Sequence, residues 1–206
     1  CKLKRFKIHI NAGKETLAAV MARTGATHGS NGGFYDMKHF APVMRLKCEG
    51  KTLATDDYPK VPGYAWNSSS GQLILTDAAG AAAHDNFLTA VCMIADHEKQ
   101  TMYYGSDVGG KRGRTAVGTT DDGAVVWYVA KDGSTAAMTP EALREYFGGL
   151  RARDAVMLDG GGSSQGSFAG SKITSERKVH NYLLGWVDKP FKNKYAVPAR
   201  ALKKGA

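Results

Sequence analysis

The residues best placed to do chemistry lie in Val156-Met157-Leu158-Asp159-Gly160-Gly161-Gly162-Ser163-Ser164, where a short apolar run delivers one carboxylate into three consecutive glycines and two hydroxyls. Glycine has more unfolded freedom to lose than any other residue, so a run of it is kept where backbone must pass and no Cβ fits. Close approach of a ligand is one such need and a flexible turn is the other; the apolar strand ahead of Asp159 favours the ligand. Polar groups of similar character stand in Asn31-Gly32-Gly33-Phe34-Tyr35, in Arg114-Thr115-Ala116-Val117-Gly118 and in Val179-His180-Asn181. Taken singly, each also reads as ordinary structure: Asn31-Gly32-Gly33 as a turn, Arg114 as a surface charge, Asp159 as a cap, Asn181 as a strand-edge amide.

These residues need elements to hold them. Residues 6–10 alternate apolar and polar and predict a strand, while Leu17, Val20 and Met21 recur at helical spacing within 14–24, with Gly25 as the stop. Residues 28–36 predict a strand end or loop at a surface cleft. Short apolar runs at 44–48, 64–66, 73–75, 87–95 and 102–104 alternate with turn residues, the pattern of hairpins in antiparallel sheet. Asp122-Gly123 is the turn between strands expected at 115–119 and 124–130. Thr139-Pro140-Glu141 starts a helix, since Thr caps, Pro suits the first position and an acid suits the N-terminal dipole. Residues 155–158 then form a buried strand leading into Asp159, and 181–187 a final strand. The expected fold class is α+β: a mixed, largely antiparallel sheet with hairpins and a few packed helices, in a single domain over 1–188 with a basic tail over 189–206.

The chain has 206 residues, 43% of them hydrophobic, enough for one domain with a substantial core. Its 25 glycines, many in Gly-Gly or Asp-Gly pairs, point to tight turns and short strands and exclude an all-helical bundle. A net charge of +9 and a pI of about 9.4 favour anionic partners. The basic residues cluster at the two ends without an aromatic-rich RNA-binding signature, so nucleic acid is the least supported of these. Cys1, Cys48 and Cys92 are odd in number and widely spaced, against a disulfide framework or a Cys-x-x-Cys zinc site, and leave one Cys48–Cys92 bridge open. No His-x-x-x-His or dense carboxylate cluster suggests catalytic zinc. The hard oxygens of Asp159, Asp36 and the glycine-loop carbonyls leave a loop-bound calcium open. No 18-residue apolar span is present.

In order along the chain, Asn31-Gly32-Gly33-Phe34-Tyr35, Arg114-Thr115-Ala116-Val117-Gly118 before an Asp-Gly hairpin, Met138-Thr139-Pro140-Glu141-Ala142-Leu143, Leu158-Asp159-Gly160-Gly161-Gly162-Ser163-Ser164 and Val179-His180-Asn181-Tyr182-Leu183-Leu184 resemble the phosphodiester glycosidase family. Two positions depart from its pattern: Ser134 stands where the family usually has Arg, and Ala137 where it has Gly. The resemblance implies hydrolysis of the bond between a sugar's anomeric carbon and a phosphate, with a sugar-phosphate or glycan substrate, no required cofactor and a secreted or cell-envelope setting. It casts Arg114 as the phosphate ligand, because a planar fork can hold two oxygens. The backbone N–H groups of Gly160, Gly161, Gly162 and Ser163 would form an anion nest for the others. An oxocarbenium-like transition state wants a carboxylate, and Asp159 is the candidate, with orientation of Ser163 or the loop as the other role open to it. Asn31, Gly32 and Asn181 read as substrate-orienting, and Ser163 as a phosphate or sugar contact. For a second acid, Asp36, Asp122, Glu141, His28 and His180 are all open. The alternative reading, prompted by Ser134 and Ala137, is a non-catalytic glycan or phosphate-binding module of the same fold.

Overall fold

A computed structural model describes residues 1–55, 60–168 and 171–187; the basic tail expected at 189–206, and the last residue of the expected domain, lie outside the described residues. Strands dominate more than the expected class implies. Among the described residues they form three five-stranded antiparallel sheets and one two-stranded ribbon, Tyr35–Asp36 with Ala41–Pro42, against two α-helices. The first sheet runs Arg5–Ile10, Asn181–Trp186, His28–Asn31, Gly166–Phe168, Ser171–Ile173. The second runs Glu98–Lys99, Val91–Ala95, Asp154–Met157, Arg114–Thr119, Val125–Ala130. The third runs Lys51–Ala54, Leu46–Cys48, Asn86–Thr89, Gly63–Trp66, Ile74–Thr76.

Because successive strand residues point to opposite faces, each of the first two sheets serves two cores. Leu183 joins Phe6 and Ile8 in a central core that also takes Val117 and Val156 from the second sheet and Leu46, Tyr64, Trp66 and Leu88 from the third. Tyr182 and Leu184 face the other way, onto Leu17 and Val20 of the helix Leu17–Thr24. Ala116, Ala155 and Met157 likewise turn outward onto Leu143 and Phe147 of the helix Pro140–Gly149. The first helix begins three residues later than its apolar spacing suggests because Thr16 caps it, accepting from the Ala19 N–H; Gly25, at φ +69°, ends it. Thr139 caps the second through the Ala142 N–H.

Four expectations are corrected. The run at 87–95 is two strands in two sheets, Asn86–Thr89 and Val91–Ala95, joined through the fully buried Ala90; a run apolar but for the buried Thr89 can cross from one sheet to another with little loss of burial. Residues 102–104 form no strand: Met102 and Tyr104 pack on the helix-side core while Tyr103 is exposed, so their apolar content serves packing without a ladder. His28–Asn31 is a buried inner strand, not a cleft edge, since Gly29 lets the first helix sit directly on it; a Cβ there would lie 3.0 Å from Met21 Sδ. Cys48 and Cys92 are free thiols in different sheets.

Candidate active site

Asp154–Met157 is the middle strand of the second sheet, and its chain leaves that sheet at the seam with the first. There the Leu158 N–H donates to the Thr115 carbonyl (2.9 Å) and the Asp159 N–H to the Gly32 carbonyl (3.2 Å). No ladder spans this seam, so side-chain amides must satisfy its backbone groups. Asn31, fully buried, donates through Nδ2 to the Asp159 carbonyl (2.7 Å) and accepts at Oδ1 from Thr115 Oγ1 (2.6 Å) and the Gln165 N–H (3.1 Å). Asn181 accepts the Gly33 N–H at Oδ1 (2.9 Å), and its Nδ2 lies 3.1 Å from His180 Nδ1. A Cβ on Gly32 would come within 2.0 Å of Asn181 Oδ1, which is why glycine is required there. Asn31 and Gly32 thus bond to the Asp159 backbone and Asn181 to that of Gly33, and these polar groups tie the loops on either side of the seam.

The glycine loop is similarly self-engaged. Gly160 N–H donates to Asp159 Oδ1 (2.9 Å), Gly161 N–H to the Gly113 carbonyl (2.8 Å) and Ser163 N–H to the Gly160 carbonyl (3.1 Å). Among the described residues, only Gly162 of the four expected nest donors has its N–H uncommitted. The Ser163 hydroxyl is fully buried and accepts from the Arg177 guanidinium (3.4 Å). Burial pushes the Asp159 carboxyl above its ordinary range; Ser163, the Gly160 N–H and the Arg177 charge pull it partly back.

Arg114 sits differently from the phosphate fork expected of it. Its side chain is 1% exposed, with Nε on the Met138 carbonyl (2.8 Å), Nη1 on the Val108 carbonyl (2.8 Å) and Met157 Sδ (3.7 Å), and Nη2 on the Gly110 carbonyl. The alternation of its strand is the cause. Thr115 faces Asn31 and Asp159, so Arg114 shares the opposite face with Ala116, toward the core under the second helix.

A cation beside the Asp159 loop is Arg177, which none of the five motifs includes. Its N–H donates to Ser175 Oγ (3.0 Å), its carbonyl accepts from Gln165 Nε2 (3.1 Å), and the Tyr35 hydroxyl donates to the next carbonyl, Lys178 (2.8 Å). A Cβ on Gly162 would lie 2.9 Å from its Nη2, so the third glycine of the run makes room for this guanidinium. The available signal was position: Ser175-Glu176-Arg177-Lys178 runs directly into Val179-His180-Asn181.

A cleft of about 450 Å³ opens here, lined among others by Lys131, Asp132, Gly162, Ser164, Glu176 and Arg177. Ser134, the departure from the family pattern, donates to the Lys131 carbonyl (2.6 Å) and closes the turn that presents Lys131 and Asp132. Ala137 is buried. The second-acid candidates lie elsewhere: Asp36 accepts from the Lys38 and His39 N–H groups, Asp122 from Thr120 Oγ1, and Glu141 from the Tyr104 hydroxyl. His28 pairs with Thr27 Oγ1 and His180 with Asn181, and burial pushes both imidazoles down toward the neutral form. The carboxylates on the cleft are Asp132, which accepts the Gly113 N–H (2.7 Å), and Glu176. Asp36 and Asp159, whose oxygens left a loop-bound calcium open, each accept a backbone N–H in their own turn, and among the described residues no group of three or more His, Cys, Asp or Glu side chains is arranged to hold a metal.

A sequence profile described as phosphodiester glycosidase matches residues 24–185. No sequence among the curated proteins matches the chain. Among solved structures, the catalytic domain of zebrafish N-acetylglucosamine-1-phosphodiester alpha-N-acetylglucosaminidase, auto-inhibited by its pro-peptide, superposes with a TM-score of 0.70 at 16% identity, covering 88% of this chain and 72% of that one. A hypothetical protein from Synechocystis gives 0.70 at 11% identity, over 88% of this chain and 56% of its own. A protein from Burkholderia pseudomallei described as exported gives 0.61 at 14%, over 88% and 71%. At such identities the likeness is one of fold.

Proposed function

The chain belongs to the phosphodiester glycosidase family, and from that premise we propose that it hydrolyses the bond between a sugar's anomeric carbon and a phosphate, releasing free sugar and a phosphomonoester. The observation that supports this is the proximity of one desolvated carboxylate and one exposed guanidinium to a cleft that the glycine loop lines. As the C–O bond breaks, its electron pair goes to the phosphate oxygen, a water oxygen bonds to the anomeric carbon, and the proton that water loses passes to solvent. A phosphomonoester is a fair leaving group, so the site needs cations on the phosphate more than a strong acid. Arg177, with Lys131 across the cleft, takes that role in place of Arg114. Asp159 faces the anomeric carbon, where its carboxylate offsets the positive charge that builds on the sugar ring. Arg114, Asn31 and Asn181 act as positioning residues through the loops they tie.

The test is turnover of a panel of sugar-1-phosphodiesters, followed as free sugar and phosphomonoester. Asp159→Asn is expected to lower kcat by about 10²–10⁴-fold. Full activity in that variant would remove Asp159 from the chemistry. Saturable binding by the wild-type protein with no product would replace the hydrolase with the binding-module reading.

A further inference from the structure

Two adjacent serines follow the glycines, and they are in opposite states. Ser163 Oγ accepts from the Arg177 guanidinium (3.4 Å), whereas Ser164, 2% exposed, has a hydroxyl with no hydrogen-bond partner among the described residues. A buried hydroxyl left unpaired is destabilising, because folding removes its water without replacing it. Of the side-chain atoms in that condition, Ser164 Oγ is the one whose residue lines the Arg177 cleft; His9 lines a separate one. Its own N–H is committed to the Gly161 carbonyl (3.1 Å), so the loop fixes the hydroxyl in place. The same cleft is lined by Gly162, whose N–H is uncommitted, by the cations Lys131 and Arg177, and by the carboxylates Asp132 and Glu176.

We propose that Ser164 is an anion-receiving residue, its hydroxyl donating to a non-bridging oxygen of a bound phosphate that Arg177 and the Gly162 N–H also grip. This rests on the reading of the cleft as the phosphate end of the site. Each of these three groups can donate, which suits an oxygen with only lone pairs to offer, while Asp132 already accepts the Gly113 N–H (2.7 Å).

The experiment compares the wild-type protein with Ser164→Ala and Ser164→Cys, the second keeping the shape while giving up the strong donor. Each is assayed for Tm without ligand and for inorganic phosphate binding by calorimetry. Removing an unpaired buried hydroxyl should raise the ligand-free Tm by about 2–6 °C. Losing one charge-assisted bond should weaken phosphate binding about tenfold. Ser163→Ala is the contrast, expected to lower Tm because its hydroxyl is satisfied. A lowered Tm in both Ser164 variants, unchanged phosphate affinity, or no phosphate binding by the wild-type protein overturns the proposal. Intact phosphate binding without turnover of any phosphodiester would defeat the hydrolase reading and leave this one standing.

Discussion

The floor and the wall of the cleft each carry an arginine, and the two are used in opposite ways. Arg114, under the floor, is buried and directs its donors to the backbone carbonyls of Val108, Gly110 and Met138. Arg177, on the wall, is exposed, and among the described residues its guanidinium makes one long hydrogen bond, to Ser163. A buried cation engaged by carbonyls stays where the fold puts it, and removing it leaves those carbonyls unpaired and dry. An exposed guanidinium with donors to spare costs the fold little and is available to an incoming anion. The same residue type therefore makes the site rigid on one side and receptive on the other.

The contrast breaks most visibly at the floor. Arg114→Ala should cost on the order of 3–5 kcal/mol of stability, read as a drop in Tm of about 10 °C or more. Arg114→Lys sharpens the point, since an ammonium keeps the charge but cannot reach three carbonyls as the fork does. If the lysine variant is as stable as the wild-type protein, the charge and not the fork holds the 108–110 loop. At the wall the effects should divide the other way. Arg177→Ala is expected to lower kcat/KM for a sugar-1-phosphodiester by about 10²–10³-fold, with a Tm change below about 2 °C. A large fall in Tm with unchanged kcat/KM in the folded fraction would turn Arg177 into a second Arg114.

The sequence showed the carboxylate and Arg114 but neither the surroundings of Arg114 nor the part of Arg177, for reasons that can be traced. Local signals carried well: Glu49-Gly50 turns the Leu46–Cys48 hairpin with both residues at positive φ (48° and 83°), the geometry of a two-residue hairpin loop, and Thr139-Pro140 starts its helix. The Asp159 run was legible because glycine, carboxylate and apolar strand stand side by side. The surroundings of Arg114 were not, because its strand, Arg114–Thr119, is buried on both faces. In such a strand alternation gives two faces but no clue to which one meets the cleft. The split of residues 87–95 between two sheets was hidden by the same uniform burial. Arg177 was hidden by the contrary problem: a charged turn looks solvated whatever it faces, and its tie to Gly162 runs between segments that only the fold brings together.

The smallest of the expected effects bears on Asp159 itself, the one group that belongs to both floor and wall: its carbonyl is tied by Asn31, its carboxylate faces Arg177. Burial raises its carboxyl above the ordinary range, so folding favours the protonated form. That favourable contribution is complete below the ordinary carboxylate range and is lost as pH rises through the raised value. At neutral pH the ionised group therefore weighs against stability while supplying the charge the chemistry wants. Asp159→Asn keeps an oxygen for the Gly160 N–H and carries no charge. Its Tm at pH 7 should exceed that of the wild-type protein, by about 2–4 °C for each kcal/mol recovered, and the two curves should converge as pH falls through the carboxylate range. Activity in the wild-type protein should fall over that same window, with an acidic limb above the ordinary carboxylate range. A variant less stable than the wild-type protein at pH 7 would mean that the carboxylate holds the loop together, and the division between a structural floor and a chemical wall would have to be redrawn with Asp159 on the structural side.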